Sequence, residues 1–433
     1  MTALSNFARA YDKFSRTYDK LKIQESTFPN KFFLLNQEEI QIGISKAAHL
    51  PKKTGLIGDR LIAIQTQING NELKRNTRTG LGGYVERSFI DVISVHLVDP
   101  TGKMTPILIE DICAISYRTL MQKLPSFDDL LPRSVSILPI ANACQARCPF
   151  CFSKASVSTD TKQHSIAWDR VIEVFQAAAK LGASRAVITG GGEPSLLLES
   201  DLTRLINEAA KQFSKVVLIS NGYKWESLSE QDLVKSLQKL CVAGLSVLAI
   251  SVHHYQHDQN EKLMGLDTKS AQIASTWSKN LYLWPTLGVR LICVLQRDGI
   301  ADRGSLERYL DWAVNCGIKE ICFKELYVST SIESEYYNNA ANEWSAEHQV
   351  SLRLVLDFAK DAGWAVREKL PWGAPVFEGM WRDRPVRVAA YTEPSLLWEL
   401  TNRVCRSWNL MADGRCLASL EDKKSQVLIH ELR

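Results

Sequence analysis

The sequence predicts an α/β protein built on a parallel sheet, with a small β-rich region before it and an α+β extension after it. Three observations predict this. Between residues 137 and 323, short Val/Ile/Leu-rich runs alternate with longer stretches whose apolar residues recur at helical spacing. Residues 31–132 instead show β-rich runs separated by turn signals such as Asn69-Gly70 and Asp99-Pro100-Thr101-Gly102. Beyond about residue 326 the alternation loosens and tryptophan becomes frequent.

Taken in order, Phe7, Tyr11, Phe14, Tyr18 and Leu21 lie at helical spacing, so residues 1–28 read as an amphipathic helix that ends at Pro29-Asn30. Residues 29–132 form the β-rich domain. Within it Lys52, Lys53, Lys74, Arg75, Arg78 and Arg87 read as solvated loop charges, with a platform for an acidic peptide or nucleic acid as the sharper alternative. The central region, 133–326, holds strands at 137–140, 186–189, 216–220, 245–252, 289–295 and 318–323. Helices at 166–181, 202–213, 228–240, 270–283 and 305–314 separate them. Such alternation implies parallel neighbours, because parallel strands need crossovers. Residues 327–433 form an extension capping the substrate site, with helices expected at 347–362 and 397–404 and a short strand at 364–366.

Composition sets the outer bounds. The 433 residues are 45% hydrophobic and 23% charged, which suits a globular chain larger than one small core. No apolar run is long enough for a membrane span, and Met1–Arg9 lacks the apolar core of a signal peptide. Clustered cysteines without such a signal imply reduced thiols, and a cytoplasmic location is expected. The net charge of +4 is small for this length, so nucleic acid is not the expected partner.

The chemistry concentrates in Cys144-Gln145-Ala146-Arg147-Cys148-Pro149-Phe150-Cys151, directly after the first strand of the central region. Three soft thiols at C-x3-C-x2-C can hold an iron–sulfur cluster or zinc. With three ligands on a four-iron cubane, one iron stays open to a substrate or cofactor. A zinc-binding interaction protein is the reading from another class. It needs a fourth ligand, for which His164 is the candidate, and it leaves the repeated βα units without a role.

The C-x3-C-x-aromatic-C pattern, with Phe150 in the aromatic place, resembles the signature of the radical S-adenosylmethionine (radical SAM) superfamily. The resemblance covers residues 135–325 and implies a partial (β/α)6 barrel. It also implies a [4Fe–4S] cluster on Cys144, Cys148 and Cys151, with S-adenosylmethionine on the fourth iron. The reaction it implies is reductive cleavage to a 5′-deoxyadenosyl radical that abstracts hydrogen from a substrate, with a reductase as electron donor. Thr189-Gly190-Gly191-Gly192-Glu193-Pro194 follows the second strand and resembles the superfamily's GGE motif, which assigns Gly191, Gly192 and Glu193 to the methionine amino group. By position, Ser220, Asn221 and Ser251 resemble cofactor-contacting strand ends. His253, His257, Arg290 and Gln296 are further candidates to face cofactor or substrate, and Lys324-Glu325 reads as a pocket pair or a rim salt bridge.

Cys405 and Cys416 flank an Asp413-Gly414 turn and resemble the hairpin that opens SPASM or twitch extensions, which hold auxiliary clusters. No further cysteine follows Cys416, so free core thiols or one catalytic thiol are the competing readings. The layout resembles peptide-modifying members, and a ribosomal peptide or natural-product precursor is the expected substrate, with a small metabolite or RNA as alternatives.

Overall fold

The structure is a computed structural model. It describes the backbone of strands within residues 30–106, and residues 126–429 except 142, 154–164, 330–332, 338, 371, 372 and 395. The expected N-terminal helix, the basic loop residues 52–87 and His164 lie outside the described residues. The chain divides into two compact units, one of Met1–Pro125 with Thr330–Ile332, the other of Ser126–Ser329 with Glu333–Arg433.

In the first unit β1 (Asn30–Leu35), β2 (Ile42–Lys46), β3 (Leu56–Ile57), β4 (Arg60–Ile68), β5 (Ile90–Val98) and β6 (Met104–Pro106) form one antiparallel sheet, ordered β2-β1-β4-β5-β6 with β3 on β4. The partner of β4 begins only at Ile90, so Asn69-Gly70 does not close a two-residue hairpin between them.

The second unit opens with β7 (Leu131–Pro132) and β8 (Val135–Leu138). Crossovers then connect β9 (Arg185–Ile188), β10 (Lys215–Ser220), β11 (Val247–Ser251), β12 (Gly288–Leu295) and β13 (Glu320–Glu325). The crossover helices are α1 (Trp168–Lys180), α2 (Glu199–Gln212), α3 (Glu230–Val242), α4 (His257–Met264), α5 (Ser270–Lys279) and α6 (Arg303–Asn315). Strands β8 to β13 lie side by side in chain order, every pair parallel, giving the (β/α)6 arrangement of a partial barrel. The helices bury one stripe each against the sheet. On α5, for example, Ile273, Ala274 and Trp277 are buried, and the indole N–H of Trp277 donates to the Leu233 carbonyl at 2.7 Å.

The extension does more than cap this barrel. It supplies α7 (Ala340–His348), α8 (Arg353–Asp361), β14 (Ala365–Lys369), β15 (Pro375–Trp381), β16 (Arg384–Tyr391), α9 (Leu396–Asn402), β17 (Val404–Cys405), β18 (Trp408–Met411) and β19 (Cys416–Leu417). Strand β16 pairs parallel with β13, and β18 pairs parallel with β8, so the parallel array grows by one strand at each end. No ladder joins β16 to β18 among the described residues. Across that seam the Glu393 carboxylate meets Lys324 at 2.5 Å and Arg406 at 2.6 Å. The expected helix at 347–362 is two helices, because α7 ends at His348 and α8 begins at Arg353.

Candidate functional site

The site is built at the C-terminal ends of the parallel strands, where α/β folds place ligands. The loop after β8 carries Cys144, Cys148 and Cys151. It is fastened to the end of α4, where the Arg147 amide donates to the Met264 carbonyl at 2.8 Å and the Cys148 thiol points to the same oxygen at 3.5 Å. Gly265, at φ +55°, turns the chain out of α4; a Cβ there would come within 2.8 Å of the Arg147 Cβ. Burial, and the charges of the neighbouring thiols, push Cys148 well above the ordinary thiol range; burial is also the main reason that Cys144 is raised. Such thiols stay protonated until a metal lowers their pKa.

The turn after β9 packs directly on this loop. The Glu193 amide donates to the Ala143 carbonyl at 2.8 Å, and a Cβ on Gly192 would lie 2.1 Å from that same oxygen. Gly190 is equally constrained, since its Cβ would fall 1.4 Å from the Gly192 carbonyl oxygen. The buried Glu193 carboxylate is fully engaged within the protein. It accepts from the Ser195 amide at 2.9 Å, the Ser220 hydroxyl at 2.7 Å and the Asn221 amide at 2.8 Å. Glu193 and Ser220 therefore lock the ends of β9 and β10 together, a different task from the direct cofactor contact expected of each. Asn221 extends the brace to the cysteines, its side-chain N–H lying 3.8 Å from the Cys144 sulfur.

Phe150 faces a second wall. Its ring meets His253 edge-on at 5.1 Å and tilts against Trp344 at 5.9 Å, while Trp344 stacks on His348 at 3.8 Å. The buried Tyr336 hydroxyl, 3.2 Å from the Phe150 carbonyl and 3.0 Å from Ser345, ties the loop to α7. Trp344 and Tyr336 carry no motif, and only their aromatic character near the chemistry could have drawn attention to them. Just after β12, the fully buried Gln296 leaves its side-chain oxygen without a partner among the described residues, an acceptor left open for a bound donor.

The remaining predicted residues scatter. His253 Nδ1 accepts from the Val294 amide at 3.1 Å, which places its proton on Nε2, and burial pushes its pKa down to about 4. Its unfolded value is near 6.5, so the native state excludes a proton that the unfolded chain binds. The stability this contributes is complete above pH 6.5 and falls as pH drops towards 4, by roughly 3 kcal/mol in all. Urea midpoints of wild type and His253→Gln should therefore converge between pH 7 and pH 5. His257 is exposed on α4, 3.1 Å from Asp267 and close to Glu261. Ser251 ends β11 half-buried.

Arg290 is not at a strand end. It lies near the start of β12 in an ion pair with Glu320 at 2.7 Å, five residues short of Leu295 and so roughly 16 Å below the cofactor end. That placement does not suit a cofactor contact. Lys324 and Glu325 point to opposite faces, Lys324 to Glu393 and Glu325 to the Leu352 amide, so they form no pair. Cys405 and Cys416 are both buried on the extension, the Cys405 thiol 2.7 Å from the Ala418 carbonyl. Among the described residues no third His, Cys, Asp or Glu joins them in a close ligand group.

Inside the strands lies a cavity of about 320 Å³. Cys151, Phe152, Thr189 and Gly190 line its upper end, and Val187, Val217, Ile219, Ala249 and Ile292 form an apolar wall. Lys324, Glu393, Glu399 and Arg406 line the side where the extension closes the array. Burial pushes the Glu399 carboxyl up to about 8, against the Arg406 amide and charge that pull it down.

Comparison with known proteins bears on the central region. Residues 138–274 match the model described as the radical SAM superfamily. The central region of the chain carries a domain of the radical SAM superfamily. Its members use a [4Fe–4S] cluster and S-adenosylmethionine, and the three-thiol loop, the glycine-lined turn and the open Gln296 acceptor of this structure fit that pair. Curated relatives include a GTP 3′,8-cyclase of Pectobacterium atrosepticum, 26% identical over 54% of this chain. The chain spans 64% of that relative's length, under two thirds. A GTP 3′,8-cyclase of Lactiplantibacillus plantarum is 28% identical over 65% of this chain and 78% of its own. Among solved structures, anSMEcpe with bound AdoMet aligns over 68% of this chain and 76% of its own, at 14% identity and TM-score 0.41. The coproporphyrinogen III oxidase of Escherichia coli, a radical SAM enzyme, aligns over 57% and 56%, at 13% identity and TM-score 0.37. Among the described residues no helix is long and apolar enough to cross a membrane.

Proposed function

We propose that this enzyme binds its cluster through Cys144, Cys148 and Cys151 and acts on a small metabolite enclosed by the parallel strands. The observation that carries this reading is the shared cavity, since Cys151 and Gly190 line the same space as the inward residues of β9 to β13. When bound, the cluster and S-adenosylmethionine supply a 5′-deoxyadenosyl radical able to take hydrogen from an unactivated C–H bond. The residues of the chain bind, position and shield. Gly192 lets the β9 turn approach the cysteine loop without a side chain between them, and Gly190 lets that turn fold tightly on itself. Glu193, Ser220 and Asn221 hold that turn rigid, Phe150 packs on His253, and Gln296 offers its buried acceptor.

The lumen excludes water with Val187, Val217, Ile219, Ala249 and Ile292, a surface that quenches a radical poorly. A cavity of this size accepts a small metabolite whole, or a single side chain of a peptide. The GTP 3′,8-cyclase names of the relatives support the metabolite over the peptide precursor expected from the layout. A reductase completes the required partners, as electron donor.

Anaerobic reconstitution with iron and sulfide, followed by dithionite and S-adenosylmethionine, tests the reading. We expect about four irons per chain and formation of 5′-deoxyadenosine. About eight irons would make Cys405 and Cys416 ligands and overturn the single-cluster reading. Stoichiometric zinc without sulfide or deoxyadenosine would overturn it altogether.

A further inference from the structure

The lower end of the same cavity carries a charge arrangement that the radical chemistry does not use. Side chains alternate across a strand, so on β9 Arg185 shares the inward face with Val187 and Thr189. On β10 the register sets Lys215 beside Arg185, on the face of the inward Val217 and Ile219. Arg290 approaches from β12 closely enough that its charge, after burial, lowers the pKa of both neighbours. The nearest carboxylates are already taken, with Glu320 held by Arg290 at 2.7 Å and Glu368 by Arg387 at 2.7 Å. Arg185 and Lys215 have no ion pair or hydrogen bond among the described residues. Two half-buried cations side by side with no direct ion pair cost stability, which the shared charges of Glu320 and Glu368 offset only in part.

We propose that Arg185, backed by Lys215 and Arg290, is an anion-binding floor that holds a carboxylate or phosphate group of the substrate. Arg185 lines the cavity directly, and its planar fork suits either group in a bidentate pair. Thr189, at the upper end of the same strand, lies four residues on, about 13 Å away along β9. The substrate is then an elongated anion, with its charged group at the floor and its reacting carbon at the cysteine end. The apolar wall between them fits an uncharged middle. This inference deepens the proposed function and rests on it for the position of the reacting carbon.

Pyrophosphate and citrate serve as probes, titrated separately by calorimetry into the anaerobically reconstituted enzyme at low salt. At least one should bind, and Arg185→Gln should weaken that binding by about tenfold or more, whereas Arg185→Lys should hold most of it. Arg353→Gln, on the exposed face of α8, should leave it unchanged. Binding of pyrophosphate alone assigns a phosphorylated substrate, and binding of citrate alone assigns a carboxylic acid. In wild type, the bound probe should also slow phenylglyoxal modification of Arg185, mapped by mass spectrometry, a readout independent of any variant's folding. Equal affinity in Arg185→Gln, or no protection of Arg185 by either probe, overturns the floor. If 5′-deoxyadenosine forms while neither anion binds, the floor fails and the radical SAM reading stands. Anion binding at Arg185 without 5′-deoxyadenosine supports the floor and overturns the radical chemistry proposed for the cysteine end.

Discussion

Replacing Cys148 with alanine is expected to reduce 5′-deoxyadenosine formation at least a thousandfold and to drop iron from about four to below one per chain. Three thiolates are the minimum that leaves one iron of a cubane open, and two cannot fix its orientation. The loop itself should survive, because the Arg147 amide still donates to the Met264 carbonyl and the Cys151 amide to the Cys148 carbonyl at 3.1 Å. The thermal midpoint of the iron-free protein should accordingly move by no more than a few degrees. Cys405→Ala is the informative contrast. That thiol is buried in the extension beside the Ala418 carbonyl, so its loss should lower stability and leave iron content and SAM cleavage intact. Iron falling in Cys405→Ala would instead point to a second cluster and refute the assignment.

The parallel array was legible because its six central strands are short, mostly apolar runs regularly interrupted by amphipathic helices, a pattern that few other folds produce. Of the two added strands, β18 was legible as the first arm of the Asp413-Gly414 hairpin, though not as a member of the parallel array, and β16 was not legible at all. Strand β16 reads Arg-Pro-Val-Arg-Val-Ala-Ala-Tyr, with a proline near its start and weak β-formers near its end. The β15–β16 hairpin turns on Arg382 and Asp383, both in the left-handed region at φ +48° and +60°, with no glycine to announce it. Asp311 compensates by accepting from Trp381 at 2.8 Å and from Arg382 at 3.0 Å, contacts that only the folded chain brings together. The cysteine loop and the glycine turn were equally legible, since their chemistry depends on local spacing. The task of Glu193 was hidden, because a carboxylate satisfied by Ser220 and Asn221 looks in sequence like one free for a ligand. Arg185 was hidden for the opposite reason. A cation opening a strand reads as a solvated end, and only the register beside Lys215 shows that it faces the lumen.

Gly192→Ala tests how tightly the cofactor turn and the cysteine loop are joined. Its Cβ would meet the carbonyl oxygen, carbon and nitrogen of Ala143 at 2.1, 2.8 and 2.9 Å, all backbone atoms with no rotamer to escape into. Either the turn after β9 or the residue before Cys144 has to move by more than an ångström. That shift would stretch the Glu193 amide bond to Ala143 and loosen the brace through Ser220 and Asn221. Overpacking of this kind costs on the order of 3 kcal/mol, and an ångström of misplacement at a reacting centre costs about a hundredfold in rate. We expect iron to be retained, because the three thiols remain, while SAM cleavage falls about a hundredfold or more. Gly304→Ala is the matched control. It lies in the first turn of α6, where the new Cβ meets only the flexible end of Arg308 at 3.3 Å and the side chain of Asp302 at 3.4 Å. There the helix should gain a few tenths of a kcal/mol from alanine, with cleavage unchanged. If Gly192→Ala cleaved SAM like Gly304→Ala, the turn would be free of the cysteine loop during catalysis, and the close packing of Gly192 on Ala143 would have no part in seating the cofactor.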